Sequence, residues 1–139
     1  MFKNILLGVD GSDHALRAAR LAGEMARLTN ADLRVVVSFE PVPSFLGEPF
    51  LQEALAKRMQ QADEILQPAL DEIGSIPGNL KTEILEGPPA EAILNVVEVR
   101  EIDLIVMGAR GRGRLTSMLL GSQSQKVVSH ASCPVMLIR

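Results

Sequence analysis

The chain has 139 residues, 47% apolar and 22% charged, with a formal net charge of −3. This length fits one core, so we expect a single domain over residues 1–139. The negative net charge and the lack of tryptophan and tyrosine exclude a typical nucleic-acid binder. Since no apolar run reaches about 18 residues, we expect no membrane partner. One cysteine allows no internal disulfide framework, which favours the cytoplasm.

The first third of the chain alternates a strand, a helix and a strand. Ile5–Val9 and Leu33–Phe39 are nearly continuous apolar runs, typical of strands that are covered on both faces. Between them, the helical spacing of apolar residues predicts a helix over Asp13–Thr29 that is capped by Ser12. Its apolar face includes Leu28, so we expect that side chain to be buried.

The next segment, Glu40–Pro49, carries three prolines and a glycine and breaks the regular pattern. It follows the second predicted strand, on the side of a parallel sheet where ligands bind. It is either a flap over a ligand site or a stiff connector. Phe39, Phe45 and Phe50 in and beside this segment are either part of an adenine pocket or core residues, and we expect Phe50 to belong to the core.

The rest of the chain continues the alternation. Leu51–Ile73 has helical spacing, but Pro68 interrupts it, so we expect a kink or an early end there. The remaining predicted elements are a strand at Thr82–Leu85, a helix from Pro89, a strand at Ile102–Met107, a helix at Ser122–His130 and a strand at Val135–Ile138. Such an order predicts an α/β fold with a parallel sheet and helices on both faces.

Residues 108–124, which read GARGRGRLTSMLLGSQS, form two glycine-rich turns after the fourth predicted strand. Glycine lets backbone N–H groups converge on an anion, because it adopts φ > 0 and allows close approach. The second turn, Gly121-Ser122, opens a predicted helix and so offers free N–H donors and the positive end of a helix dipole. The pair of turns predicts a polyphosphate site.

Two common phosphate loops do not match these turns. Gly108 and Gly113 have the spacing of a P-loop, but Arg114 and Leu115 stand where the loop needs Lys and Ser/Thr. The first predicted strand is not followed by the G-x-G-x-x-G of dinucleotide-binding folds. Rapid hydrolysis by P-loop chemistry is therefore not supported.

The spacing that fits is G-x2-G-x9-G-S, formed by Gly108, Gly111, Gly121 and Ser122. Together with ILLGVDGSDHA, DLIVMGARGRGRL and LLGSQSQKVVSHASCPVMLI, it resembles the universal stress protein family, in its ATP-binding branch. The resemblance spans nearly the whole chain. It implies an open five-stranded parallel sheet of order 3-2-1-4-5, Rossmann-like and similar to the adenine nucleotide alpha hydrolases, with ATP and Mg²⁺ as cofactors.

The resemblance also implies roles for individual residues. Residues 108–114 would contact ribose and phosphates, residues 122–124 phosphate oxygens, Val9 and Asp10 the adenosine, and Phe39 the adenine. The implied ATP site comprises Val9, Asp10, Phe39, Gly108, Arg110, Gly111, Arg112, Gly113, Arg114, Gly121, Ser122, Gln123 and Ser124.

Two of these roles have an alternative. Asp10 either binds a ribose hydroxyl or Mg²⁺ through water, or only fixes the following turn. Arg110, Arg112 and Arg114 either clamp phosphate charge or are solvated surface residues.

A homodimer is implied by the same resemblance, through the apolar edge strand Val135–Ile138, which would otherwise be exposed. Neither His14 nor His130 has a hydroxyl or carboxylate at the spacing of a nucleophile triad, so we expect no catalytic residues. The leading hypothesis is a nucleotide-responsive stress regulator that acts on a protein partner. The alternative is a slow ATPase or an autophosphorylating enzyme with the same fold.

Overall fold

The computed structural model describes residues 1–110 and 120–139, so four of the predicted site residues, Gly111, Arg112, Gly113 and Arg114, lie outside the described residues. The strands are β1 (Asn4–Gly8), β2 (Asp32–Phe39), β3 (Leu80–Glu86), β4 (Leu104–Gly108) and β5 (Val135–Ile138). The helices are α1 (Asp13–Thr29), α2 (Phe50–Ile73), α3 (Pro89–Val99) and α4 (Ser122–His130), with a 3₁₀ turn at Ser44–Leu46.

All strand pairs are parallel, and the sheet has the order β3-β2-β1-β4-β5. This confirms the expected fold class and strand order. β1 is central, and its last residue, Gly8, lies opposite Val36 of β2 and Met107 of β4. The order reverses between β1 and β4, and ligands of open α/β sheets bind at the carboxyl ends of strands at such a point.

Successive strand residues face opposite layers of the core. Leu7, Val35 and Val106 pack with the residues of α1 and α2, whereas Leu6 and Ile105 pack with those of α3 and α4. This alternation follows from the period of two along a strand. It decides which strand residues reach a cavity on either side of the sheet.

α1 has the predicted bounds and the predicted cap, since the Ser12 hydroxyl accepts a hydrogen bond from the Ala15 N–H at 3.2 Å. The expectation for Leu28 is wrong, because this side chain is 82% exposed. The buried face consists of small residues, and a Cβ at Gly23 would lie 2.4 Å from the carbonyl oxygen of Ile73 in α2. Close contact between the two helices thus excludes large side chains from that face.

α2 continues through Pro68 to Ile73, so the expected early end is wrong. Pro68 is exposed, and water can solvate the carbonyl group that its missing N–H leaves without a helical partner. Buried Leu66 and Ala69 keep both sides of the proline packed on the core. Phe50, expected in the core, is 63% exposed at the start of this helix.

The two edges of the sheet are β3 and β5. All four residues of β5 are half-buried, with side chains that pack partly against both core clusters. Among the described residues, no helix is both long enough and apolar enough to span a bilayer.

Candidate functional site

A cavity of about 350 Å³ opens at the carboxyl ends of β1 and β4, beside the starts of α3 and α4. It brings together eight of the nine described residues of the predicted site: Val9, Asp10, Gly108, Arg110, Gly121, Ser122, Gln123 and Ser124. Residues that are distant in sequence therefore meet where the strand order reverses.

The start of α4 presents backbone donors to this cavity. Its N-cap residue, Gly121, has no side chain to accept a hydrogen bond, and the first helical bond runs from the Gln125 N–H to the Gly121 carbonyl at 3.0 Å. The N–H groups of residues 122–124 have no partner within the described part of the chain. Unsatisfied donors at a helix N-terminus, combined with the helix dipole, form an anion-binding arrangement.

Gly108 brings the end of β4 against the first turn of α1. A Cβ at this position would lie 2.8 Å from the Cβ of His14 and 3.2 Å from the backbone nitrogen of Ala15. These neighbours are backbone and near-backbone atoms that cannot rotate away. A side chain is therefore excluded at Gly108, independently of any ligand.

Two hydrogen bonds fix the start of α4 to the end of β4. The Gly121 N–H donates to the Ala109 carbonyl at 2.9 Å, and the Ser124 hydroxyl donates to the Gly108 carbonyl at 3.0 Å. Ser124 is only 3% exposed. The Ser124 hydroxyl proton is thus bound by the protein, although its backbone N–H remains unpaired within residues 1–110 and 120–139.

Asp10 lines the cavity and also stabilises the turn after β1. One oxygen, Oδ1, accepts a hydrogen bond from the Ser12 N–H at 2.9 Å. Its other oxygen has no hydrogen-bond partner among the described residues. The turn-forming role is therefore present in the structure, and the ligand role of the second oxygen stays a prediction.

Phe39 is the one described member of the predicted site that the structure does not bring to this cavity. Val36 and Ser38 of β2 line the cavity, whereas Phe39 lines a second cavity of about 520 Å³ beside α2, which Ser38 also lines. The role of Phe39 against an adenine stays a prediction.

The start of α3 forms another wall of the cavity, which sequence reasoning did not assign to the site. Pro89 and Ile93 line it, together with Met107 of β4. Neither Pro88, the N-cap residue, nor Pro89 has a polar side chain, and α3 has no cap from its own residues. Instead the Ala90 N–H donates to Oε1 of Gln123 at 3.0 Å, so a side chain from α4 caps α3.

The cavity thus has an apolar side and a donor-rich side. Val9, Val36, Ile93 and Met107 supply apolar surface, and the start of α4 supplies N–H donors. No group of three or more His, Cys, Asp or Glu side chains that could hold a metal ion occurs in residues 1–110 and 120–139. A ligand that joins a flat apolar ring to an anionic group would match these two sides of the cavity.

The structure is thus an open α/β fold with a cavity at the carboxyl ends of its central strands, where the strand order reverses. A model of the universal stress protein family matches residues 1–139, and the chain belongs to that family.

Relatives and solved structures agree with this assignment. The chain is 51% identical, over all of both chains, to a universal stress protein in the QAH/OAS sulfhydrylase 3′ region of Thermus aquaticus. The structure of universal stress protein UspA from Lactobacillus plantarum superposes with a TM-score of 0.85, at 33% identity, covering 99% of this chain and 98% of that one. A universal stress protein from Archaeoglobus fulgidus, solved in complex with dAMP, has the same fold, with a TM-score of 0.72, 24% identity, and coverage of 100% and 98%.

Proposed function

We propose that this protein binds ATP, with Mg²⁺, in the cavity between β1, β4 and α4, and acts as a nucleotide-responsive stress regulator. The observation that carries the proposal is the uncapped start of α4, where the N–H groups of residues 122–124 have no partner among residues 1–110 and 120–139 and lie beside an apolar wall. The dAMP complex of the Archaeoglobus fulgidus relative, which has the same fold, supports an adenine nucleotide as the ligand class.

The division of the cavity suggests how a nucleotide lies in it. Phosphate oxygens would accept hydrogen bonds from residues 122–124, since the dipole of α4 favours negative charge there. The base would contact Val36 and Ile93, and the hydroxyl of Ser38 is the polar group that β2 offers on this side of the sheet. This arrangement binds and orients the ligand without a bond being made or broken.

Mg²⁺ fits the carboxylate that the cavity offers. Magnesium bound to a nucleotide takes most of its ligands from phosphates and water and needs only one or two carboxylates. Asp10 is the one acidic side chain among the described residues that line the cavity, and one of its oxygens is unpaired in that part of the chain. When bound, held by Asp10, the ion would neutralise part of the phosphate charge.

The same residues favour ATP binding over ATP turnover. The Asp10 carboxylate already accepts a hydrogen bond from Ser12, and no second acidic side chain lines the described part of the cavity. Steady phosphate release by the purified protein would favour the slow ATPase instead. Autophosphorylation would favour the autophosphorylating enzyme.

We propose further that the protein is cytoplasmic, that each chain is a single domain, and that two chains form a homodimer which acts on a protein partner. β5 is an edge strand with four half-buried side chains, and its outer edge pairs with no other strand of the described residues, so it suits pairing with a second copy. Sedimentation of the protein with and without ATP tests this part, and a monomer at all concentrations would contradict it.

The nucleotide site is tested by introducing a carboxylate that competes for the same donors. Ser122→Asp places a negative charge in the first turn of α4, where the dipole stabilises it, so we expect the fold to be retained. ATP affinity should fall by at least about 30-fold, because the new charge repels phosphate. Calorimetric titration with ATP and Mg²⁺ measures this.

The matched control is Ser129→Asp, the same change at an exposed position near the other end of the same helix. Its ATP affinity should remain close to that of the unchanged protein. If the unchanged protein gives no heat with ATP, AMP or adenosine, the proposed site is wrong.

A further inference from the structure

We propose that the side chain of Gln123 determines the specificity of the cavity for phosphate, because Ala90 holds its oxygen and leaves its N–H donors for a ligand. This inference rests on the proposed function, since it assigns a selective role to one side chain within that site. It concerns the side-chain amide of Gln123, whereas the proposed function needs only the backbone N–H groups of α4.

The hydrogen bond between Gln123 and Ala90 fixes the orientation of the Gln123 amide. A glutamine amide carries one acceptor oxygen and two N–H donors, and either end can face a ligand when both are free. Here Oε1 accepts from the Ala90 N–H at 3.0 Å. Turning the amide over would place two N–H groups against the Ala90 N–H, so that orientation is unfavourable.

The need for this hydrogen bond comes from the sequence at the start of α3. The two prolines there supply neither a capping side chain nor, at the first helical position, an N–H. The Ala90 N–H is the first free donor of the helix, and a side-chain oxygen usually satisfies a donor at this position. Gln123 supplies that oxygen from another helix, 33 positions further along the chain.

The donor end of Gln123 remains available to the cavity. Gln123 is half-buried and lines the cavity, and its Nε2 group has no partner within the described part of the chain. Gln123 is the residue between Ser122 and Ser124, whose backbone N–H groups also have no partner among the described residues. The described start of α4 therefore offers donors from backbone and side chain, and the oxygen of Gln123 is held against the Ala90 N–H.

This arrangement selects a ligand group by its hydrogen-bonding character. A phosphate that is ionised offers only acceptors, so it satisfies every donor without leaving one buried and unpaired. A ligand that ends in a hydroxyl or an amine at this position needs an acceptor, whereas Gln123 holds its oxygen against the Ala90 N–H and turns its donor end away from Ala90. We therefore expect the phosphate to contribute more to affinity than the backbone donors alone would allow.

The test is Gln123→Glu, which keeps an oxygen for the Ala90 N–H and replaces the donor end by a negatively charged oxygen. We expect the affinities for AMP and for ATP to fall at least about 30-fold. The affinity for adenosine, which has no phosphate, should stay within about 3-fold. The apo protein should melt at the same temperature or higher, since a carboxylate is favourable at a helix N-terminus. Calorimetric titration and thermal denaturation measure these quantities.

Gln125→Glu is the matched control, because it makes the same chemical change in the same helix on an exposed side chain that does not line the cavity. It should keep the affinities for all three ligands within about 3-fold. Gln123→Met, with similar length and no polar amide, gives a second measurement if the charged variant does not fold. It should weaken AMP binding by about 10-fold and lower the melting temperature.

The outcomes separate this inference from the proposed function. If the unchanged protein binds AMP and Gln123→Glu binds it within about 3-fold as well, the side chain is only a helix cap and the inference is overturned. Equal losses for adenosine and AMP would also overturn it, because phosphate would then not be the group that Gln123 recognises. If the unchanged protein binds none of the three ligands, the proposed function fails and this inference fails with it.

Discussion

α1 and α4 both begin at the ligand edge of the sheet, but their first turns are satisfied differently. At the start of α1 the Ser12 hydroxyl accepts from Ala15, and Asp10 accepts from the Ser12 N–H. At the start of α4 the cap residue is Gly121, which offers no side-chain acceptor. One helix start thus has a side-chain cap from its own neighbours, while the other has none within the described residues.

The capped start of α1 therefore contributes to the stability of the fold, whereas the uncapped start of α4 is suited to binding a ligand. A capped turn lowers the free energy of the folded chain by itself, whereas an uncapped turn costs stability until an anion occupies it. Two residue choices, Ser12 before one helix and Gly121 before the other, produce this contrast. Substitutions at the two starts should therefore affect different measured quantities.

The largest expected effect comes from Gly108, where the end of β4 touches the capped turn of α1. Gly108→Ala should lower the free energy of unfolding by about 2–3 kcal/mol, because the new methyl group meets His14 and the backbone of Ala15. Urea denaturation measures the loss.

Gly8→Ala is its control at the end of the neighbouring strand. A Cβ there would lie 2.8 Å from Cδ1 of Ile93, which is the end of a flexible side chain and can move. The control should cost less than about 1.5 kcal/mol. Equal costs at the two glycines would contradict the close contact between β4 and α1.

The next effect compares the two helix starts directly. Ser12→Ala removes the cap of α1 and should cost about 1 kcal/mol of stability. Ser122→Ala removes a hydroxyl that makes no capping hydrogen bond, so it should change stability by less than about 0.5 kcal/mol. Its effect should instead be a loss of ATP affinity of about 5- to 10-fold.

Parallel denaturation and titration of the two variants check this. A stability loss in Ser122→Ala that equals the loss in Ser12→Ala would show that α4 is capped in the same way as α1.

The smallest effect belongs to Cys133, beyond the far end of α4. Burial raises the pKa of the Cys133 thiol, the charge of Asp103 raises it further, and a hydrogen bond with the Ile105 backbone opposes the rise. Since this pKa is higher in the folded than in the unfolded chain, folding favours the neutral thiol. The contribution of the Cys133 thiol to the free energy of unfolding is fully present below the pKa of the thiol in the unfolded chain, about 8.5. It is lost as pH rises through the pKa of the thiol in the folded chain.

Denaturation at pH 7 and pH 10, with Cys133→Ala as the control, measures this loss. Alkylation should also be slower at pH 8 than for an exposed cysteine, because less thiolate is present. A thiol that reacts as fast as a free peptide cysteine would contradict the raised pKa.

Sequence reasoning predicted the fold well because periodicity and capping are local. Ser12 and the spacing of alanines placed α1 at its observed bounds, and the Gly-Ser turn placed the start of α4. The strand order, which is not a local property, came from the family resemblance.

The errors concern the face of a helix and contacts between elements. Leu28 was expected inside, but at about 100° per residue it lies on the side of α1 away from the buried small residues, and it is 82% exposed. Phe39 was assigned to the site, and in the structure it lines the second cavity, while its neighbour Ser38 lines both. The contact between Gln123 and Ala90 depends on two helix starts meeting in space, and no sequence pattern contains that information.

The central claim is that ligand phosphate binds the uncapped first turn of α4. The most direct measurement is an amide NMR titration of the ¹⁵N-labelled protein with AMP. The account predicts that the N–H resonances of residues 122–124 shift most, while those of the capped first turn of α1 shift little. The largest shifts at residues 13–15, or around Phe39 and Arg58 in the second cavity, would contradict it.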